Sequence, residues 1–219
     1  MRYLLALLLL PLLLAAATAR DWTQTTSRLP NGGYLLGNPA ARVKLVEYGS
    51  YTCPHCAAFA AESGPVLHDR WVKDGSVSLE LRNLIRDAAD LAAAVVARCT
   101  GPKYYATSYL IFARQDVWLN RAINFQQTNA ARINMYPPLA RLRAIADGSG
   151  LSDVARAQGV SDDRLDACFA DQAAVDRIVA MTAGAQDVTG TPTFFLDGKR
   201  VDGFTWDKVE PLLRARGLK

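Results

Sequence analysis

The amino-acid sequence predicts an α/β fold in which a long helical stretch separates two parts that carry β-strands. Three patterns lead to this prediction. A strand, a helix and a second strand follow one another in the first part of the chain, and a hairpin and a helix close it. Between them, residues 88–185 are rich in alanine and show the apolar spacing of helices without a strand pattern.

The length and composition favour a folded protein over a disordered one. The chain has 219 residues, and half of them are apolar, which is enough for a sizeable core. Its 25 basic and 21 acidic residues give a net charge of +4, and the sequence contains no basic run. We therefore expect no nucleic-acid partner.

The first residues are typical of a signal peptide. Arg2 precedes a Leu/Ala-rich run over residues 4–17, and residues 17–19 fit a cleavage site for small side chains. A membrane span needs about 20 apolar residues, so cleavage after Ala19 is predicted and an uncleaved anchor is the alternative. No later segment is apolar enough to span a bilayer. We expect an exported, periplasmic protein in a compartment that permits disulfides.

The first strand-bearing part follows a polar segment at residues 20–33. Residues 43–48 include β-branched and aromatic side chains and predict a strand. A helix is predicted over residues 53–71, and Pro54 fits its first turn, where no amide hydrogen is needed. Residues 77–81 alternate between apolar and polar types, which predicts a second strand with one buried face.

The middle and end of the chain are predicted from the same kinds of pattern. Residues 129–138 are weakly patterned and contain two prolines, so they predict a loop. A strand at residues 193–196, a turn and residues 200–201 predict a hairpin, and residues 205–214 predict an amphipathic helix. The helices predicted between the two strand-bearing parts are 88–99, 103–116, 138–147, 161–170 and 173–185.

The motif Cys53-Pro54-His55-Cys56, between a strand and a helix, carries the predicted chemistry. Cys53 lies where helix amides and the helix dipole stabilise a thiolate, so it is the expected nucleophile. A hydrogen bond or positive charge from His55 would stabilise that thiolate further. A stable thiolate favours the reduced form and makes the disulfide an oxidant. Cys56, one turn later, is the expected resolving thiol.

Two other uses of this motif are a zinc half-site and a chance pair of cysteines. A structural zinc site needs four ligands, usually in two close pairs, whereas Cys99 and Cys168 each stand alone in the sequence. The position between a strand and a helix favours a redox dithiol. We therefore expect neither a metal nor a bound cofactor, since the dithiol itself carries both electrons.

The chain resembles the DsbA-type thiol:disulfide oxidoreductases of the thioredoxin superfamily. The resemblance rests on EYGSYTCPHC at residues 47–56 and GTPTFF at residues 190–195 and extends over nearly the whole mature chain. It implies a thioredoxin-like fold, with a central mixed sheet flanked by helices, formed by residues 34–87 and 172–219. Residues 88–171 would be an inserted all-helical domain.

The resemblance also implies roles for three further residues. Pro192 would form a cis peptide bond and lie beside the dithiol, with an ordinary trans turn as the alternative. Thr191 would offer its backbone to a substrate peptide. Glu47 would be a buried acid that relays a proton to or from Cys56, although a strand glutamate on the surface fits the spacing equally well.

Cys99 and Cys168 remain after the redox pair is assigned. Both lie on predicted apolar helix faces, where buried free thiols are the alternative. In an exported protein with an even number of cysteines, a structural disulfide between them is the prediction. The resemblance permits this second pair without requiring it.

The expected activity is donation of the Cys53–Cys56 disulfide to reduced cysteines of exported proteins through a mixed disulfide. By resemblance, a quinone-linked membrane protein would reoxidise the dithiol, and a monomer is expected. Thr191 keeps an isomerase or reductase open, because some thioredoxin-like isomerases also have threonine before the cis proline. A non-redox chaperone that binds exported chains is the second alternative.

Overall fold

The computed structural model describes residues 20–219, in which six strands form one mixed sheet. The predicted signal peptide lies outside the described residues. Across the sheet the strand order is β1-β2-β4-β3-β5-β6; β3 and β4 run parallel, and the other neighbours run antiparallel. The strands are β1 (Thr26–Arg28), β2 (Tyr34–Gly37), β3 (Val43–Gly49), β4 (Val77–Asn83), β5 (Thr193–Leu196) and β6 (Lys199–Arg200). The predicted fold class is confirmed.

Helices cover the sheet and fill the chain between β4 and β5. The first helix continues directly into a π-helical segment, Gly64–Val72, so that together they occupy the range predicted as one helix. The α-helices are α1 (Pro54–Ser63), α2 (Ala88–Cys99), α3 (Tyr104–Ala113), α4 (Gln115–Thr128), α5 (Ala130–Ile133), α6 (Pro138–Ser149), α7 (Leu151–Ala157), α8 (Asp162–Ala170), α9 (Gln172–Ala183) and α10 (Trp206–Arg214). Among the helices of residues 20–219, none is both long and apolar enough to cross a bilayer.

The central strand β3 positions the redox motif. Val43 and Leu45 are buried on one face of β3, and the strand pairs with β4 on one side and β5 on the other. Its antiparallel register sets Tyr48 opposite Thr193. The end of β3, which leads into the motif, therefore lies beside the start of β5, which follows Pro192.

The alanine-rich helix α2 is the centre of the helical stretch. Nine of its twelve residues are buried, and it packs against α3, α6, α7 and α8. Small alanine side chains let several helices approach one helix closely, which explains why the alanine run is central rather than exposed. A disulfide from Cys99 at the end of α2 to Cys168 in α8 links two of these helices.

Several elements differ from the sequence prediction. The polar segment 20–33 contains β1, an edge strand with a mostly exposed face. Helix α4 extends beyond the predicted helix 103–116, and α5 lies inside the predicted loop 129–138. Both helices have few buried positions, so they show little apolar periodicity. The second hairpin strand begins at Lys199, one residue earlier than predicted.

Candidate active site

The dithiol lies at the junction of β3 and α1. After Gly49 the chain makes a three-residue connection, and Cys53 follows as the residue that precedes α1, with an extended backbone. Pro54 takes the first helical position, where its missing amide hydrogen costs no hydrogen bond. Cys56 falls in the first turn of α1, and its side chain is fully buried.

Cys53 faces the loop that precedes β5. The Thr191–Pro192 peptide bond is cis. Sγ of Cys53 lies 3.1 Å from the Thr191 carbonyl oxygen, to which it donates a hydrogen bond when it is protonated. Pro192 is buried and Thr191 is partly exposed. The structure thus brings together residues that lie 138 positions apart in the sequence.

Hydrogen bonds lower the pKa of Cys53 from 9.0 to about 5. The main cause is the hydrogen bond from the Cys56 thiol, while burial of Cys53 acts in the opposite direction. The Thr191 side chain and the backbone amides of Cys56 and His55 lower the pKa further. At neutral pH a reduced Cys53 is therefore a thiolate, the form that attacks or leaves in disulfide exchange.

Cys56 has the opposite character. Its burial, first of all, raises the pKa of the thiol well above its ordinary value, and the hydrogen bond to Cys53 and the charge of Glu47 add to this. The Ser50 amide donates to Sγ of Cys56 at 3.5 Å and offsets part of the increase. Cys56 is thus a neutral thiol that donates to the Cys53 thiolate. The opposite shifts of the two pKa values give the two sulfur atoms separate roles.

Glu47 is buried inside the sheet, 6% exposed. Its Oε1 has no hydrogen-bond partner among residues 20–219. Burial, and after it the negative charge of Cys53, raises the pKa of Glu47 from 4.5 to about 8. The carboxyl group therefore keeps its proton near neutral pH and can exchange it there. When Glu47 is ionised, its negative charge raises the pKa of Cys56.

The His55 side chain lies on the surface. Its ring packs against Phe204, with 5.0 Å between the ring centroids, while its backbone amide, rather than the ring, stabilises Cys53. Phe204 is 45% exposed and lines an open hollow together with Pro192. Phe204 could not be recognised from the sequence, since the loop after β6 carries no motif.

Asp90 is a second buried carboxylate beside the motif, and no sequence pattern points to it. It accepts hydrogen bonds from the Ser50 hydroxyl at 2.6 Å, the Tyr51 amide at 2.8 Å and the Arg86 amide at 3.0 Å. Burial raises the pKa of Asp90 to about 7, although these hydrogen bonds lower it. Asp90 holds the connection between β3 and α1. In the sequence it looks like an ordinary acid in the first turn of a helix.

The second cysteine pair is separate from the dithiol. Sγ of Cys99 and Sγ of Cys168 are 2.07 Å apart, as in a disulfide, whereas Cys53 and Cys56 are both thiols in this structure. Within residues 20–219, no group of three or more cysteine, histidine or acidic side chains is arranged to hold a metal ion.

Comparison with known sequences places the chain in a family that fits this site. The family model described as Thioredoxin matches residues 30–215. A protein of Rickettsia typhi that is provisionally named a protein-disulfide oxidoreductase is 28% identical over 192 residues, a match that covers 85% of this chain. The chain spans 63% of the length of that relative.

Solved structures show the same relationship. The protein-disulfide isomerase from Novosphingobium aromaticivorans has a TM-score of 0.77 at 33% identity, and the match covers 86% of this chain and 98% of that one. Alpha-DsbA1 of Wolbachia pipientis has a TM-score of 0.66 at 22% identity over 86% of this chain and 90% of its own, and it shares the fold. The chain belongs to the thioredoxin family and has the DsbA-type form of its fold.

Proposed function

We propose that this protein is a thiol:disulfide oxidoreductase that donates the Cys53–Cys56 disulfide to reduced cysteines of exported proteins. The observation that carries the proposal is the lowered pKa of Cys53, about 5, next to a fully buried neutral Cys56. A sulfur atom that is stable as a thiolate is a good leaving group. The reduced dithiol is then favoured, and its disulfide oxidises other thiols.

The reaction runs in two exchanges that begin with the oxidised dithiol. A substrate thiolate attacks Sγ of Cys53; the Cys53–Cys56 bond breaks, and Cys56 leaves and takes up a proton. A second substrate thiolate attacks the substrate sulfur of this mixed disulfide, and Cys53 leaves as a thiolate. The substrate loses two electrons and forms a disulfide, and the dithiol gains both.

Glu47 is the proposed source of the proton for Cys56. Cys56 strongly favours its neutral form, so it cannot leave easily without a proton. Glu47 is protonated near neutral pH because its pKa is raised to about 8. It can pass that proton on, directly or through water, and recover it from solvent later.

The proposed substrates are extended segments of unfolded proteins. Thr191 lies beside Cys53 and is partly exposed. Next to it, the exposed ring of Phe204 and Pro192 border an open hollow. Thr191 would pair with the peptide backbone, and Phe204 would contact apolar side chains. Such contacts do not depend on one substrate sequence, so specificity should be broad.

The proposed location is the periplasm. The signal-peptide pattern before residue 20 supports it, and so does the Cys99–Cys168 disulfide, since disulfides persist in oxidising compartments. Repeated turnover would need an external electron acceptor there. We propose a quinone-linked membrane protein for this step, and we propose that the enzyme acts as a monomer.

An isomerase on the same scaffold is the second candidate. Thr191 favours it by resemblance, and the Novosphingobium relative is named a protein-disulfide isomerase. An isomerase rearranges wrong disulfides and needs the dithiol reduced, whereas an oxidase introduces disulfides and needs it oxidised. A chaperone without redox work would act in either state.

Refolding assays separate these functions. The oxidised protein is mixed with a reduced, unfolded secretory protein that contains several cysteines, and the reduced protein is mixed with the same substrate carrying scrambled disulfides. An oxidase is active in the first assay, and an isomerase is active in the second. The Cys56→Ser variant should accumulate a mixed disulfide through Cys53, and Cys53→Ser should be inactive. Full activity of both variants would identify a chaperone and contradict the proposal.

A further inference from the structure

Gln115 reaches from the helical stretch into the redox centre. It is the first residue of α4, and it is buried, with 6% of its surface exposed. Its Nε2 donates to the Tyr51 carbonyl at 2.7 Å and to the Cys53 carbonyl at 3.0 Å. One side-chain amide therefore binds the backbone on both sides of Thr52.

The Cys53 carbonyl is also the acceptor with which α1 begins. The amides of Cys56 and Ala57 donate to it at 3.2 Å and 3.3 Å. Gln115 adds a third donor to this oxygen, from a different part of the chain. The amide of Gln115 thus fixes the peptide plane from which the first turn of α1 starts. The amides of that turn include those of Cys56 and His55, which stabilise the Cys53 thiolate.

The two sides of the connection between β3 and α1 have different supports. Asp90 accepts from the Tyr51 amide, whereas Gln115 donates to the Tyr51 carbonyl. Among the hydrogen bonds of residues 20–219, Gln115 is the one donor to that buried carbonyl. A buried carbonyl that accepts no hydrogen bond costs free energy. Without Gln115, the Tyr51–Thr52 peptide group would therefore rotate, or its carbonyl would bind a water molecule.

We propose that Gln115 is a positioning residue of the redox centre, which holds the Cys53 carbonyl and with it the first turn of α1 in the orientation that stabilises the Cys53 thiolate. This inference rests on the proposed thiol:disulfide exchange and adds to it a residue that does not touch the reacting atoms. It also gives the helical stretch a direct part in setting how strongly the dithiol oxidises.

The test compares Gln115→Met with Gln126→Met. Methionine keeps approximately the length and volume of glutamine and removes both donors. Gln126 lies in the same helix, and its Nε2 donates to the Ala122 carbonyl of that helix at 3.2 Å, so this control loses a similar hydrogen bond away from the dithiol. The readouts are the thiolate absorbance of Cys53 against pH and the equilibrium of the dithiol with glutathione.

We expect the pKa of Cys53 to rise by about one unit in Gln115→Met and to stay unchanged in Gln126→Met. Because the thiolate belongs to the reduced form, the equilibrium constant for oxidation of glutathione should fall about tenfold, or about 30 mV for two electrons. A residue with only a structural role would lower the melting temperature of the oxidised and reduced forms equally and leave both readouts unchanged. That result would overturn the inference.

A second variant covers the case in which Gln115→Met does not fold. Gln115→Asn keeps an amide but shortens its reach, and it is compared with Gln126→Asn in the same two assays. We expect a smaller shift in the same direction, and no shift would again overturn the inference. The wild-type protein separates this outcome from failure of the proposed function. If it exchanges no disulfides, the function fails; if it exchanges and the variants match it, only the role of Gln115 fails.

Discussion

Glu47→Gln should remove a loss of stability that builds up in the reduced protein as the pH rises from 4.5 to about 8. Glu47 is 6% exposed, and its Oε1 lacks a hydrogen-bond partner among the described residues. Burial, followed by the charge of Cys53, raises its pKa from 4.5 to about 8. Below pH 4.5 the carboxyl is protonated in both the folded and the unfolded chain, so it has no effect on the free energy of unfolding.

Above pH 4.5 the unfolded chain releases this proton while the folded protein keeps it. Unfolding is favoured increasingly until the folded carboxyl ionises near pH 8, where the loss of stability levels off. A shift from 4.5 to about 8, at about 1.4 kcal/mol per pKa unit, sets an upper limit of about 5 kcal/mol. Between pH 5 and pH 8 the wild type should lose about 3 kcal/mol relative to Glu47→Gln.

Urea unfolding across this pH range measures the difference, with the dithiol kept reduced by a mild thiol. The quantity of interest is how the difference in unfolding free energy between wild type and Glu47→Gln changes with pH. The packing cost of glutamine does not depend on pH, so it does not contribute to this change. Glu62→Gln, an exposed substitution on α1, is the control and should show no such change. A difference between wild type and Glu47→Gln that stays constant from pH 5 to pH 8 would refute a buried, protonated Glu47.

Two further predictions concern the second disulfide and the threonine beside the proline. Replacing Cys99 and Cys168 together by alanine removes a disulfide across a sequence separation of 69. This should lower the free energy of unfolding of the oxidised protein by about 4 kcal/mol in the chain-entropy model. A loss below about 1 kcal/mol in urea unfolding would contradict this prediction. Thr191→Val removes a side-chain hydrogen bond that lowers the pKa of Cys53, so the thiolate absorbance should titrate at higher pH, and an unchanged curve would rule out that contribution.

The redox motif could be predicted because its information is local. Cys53 and Cys56 share one helical turn, and a strand pattern before them and a helical pattern after them place that turn between the end of a strand and the start of a helix. The α/β class could be predicted for the same reason, since β3, α1 and β4 are strongly patterned. The thioredoxin-like fold, which the resemblance implied, is confirmed as well. Strand β1 was missed because it is short and mostly exposed, so its residues carry no alternation.

The residues that hold the motif in place through hydrogen bonds could not be predicted in the same way. Asp90 and Gln115 lie in other helices, and both are polar residues at buried positions, where a sequence pattern expects apolar side chains. Their burial depends on backbone groups of the Ser50–Cys53 connection that they satisfy in three dimensions. The spacing of the buried residues Gln115, Trp118 and Ala122 is helical, but the polar first member weakens the pattern.

The reduction potential of the Cys53–Cys56 pair tests the central claim most directly. A protein of residues 20–219 is equilibrated with glutathione buffers, and the oxidised fraction is determined by mass after thiol alkylation. The lowered pKa of Cys53 predicts a strongly oxidising value near that of DsbA, about −120 mV. A value near that of thioredoxin, about −270 mV, would mean that the protein reduces or rearranges disulfides and would contradict the account.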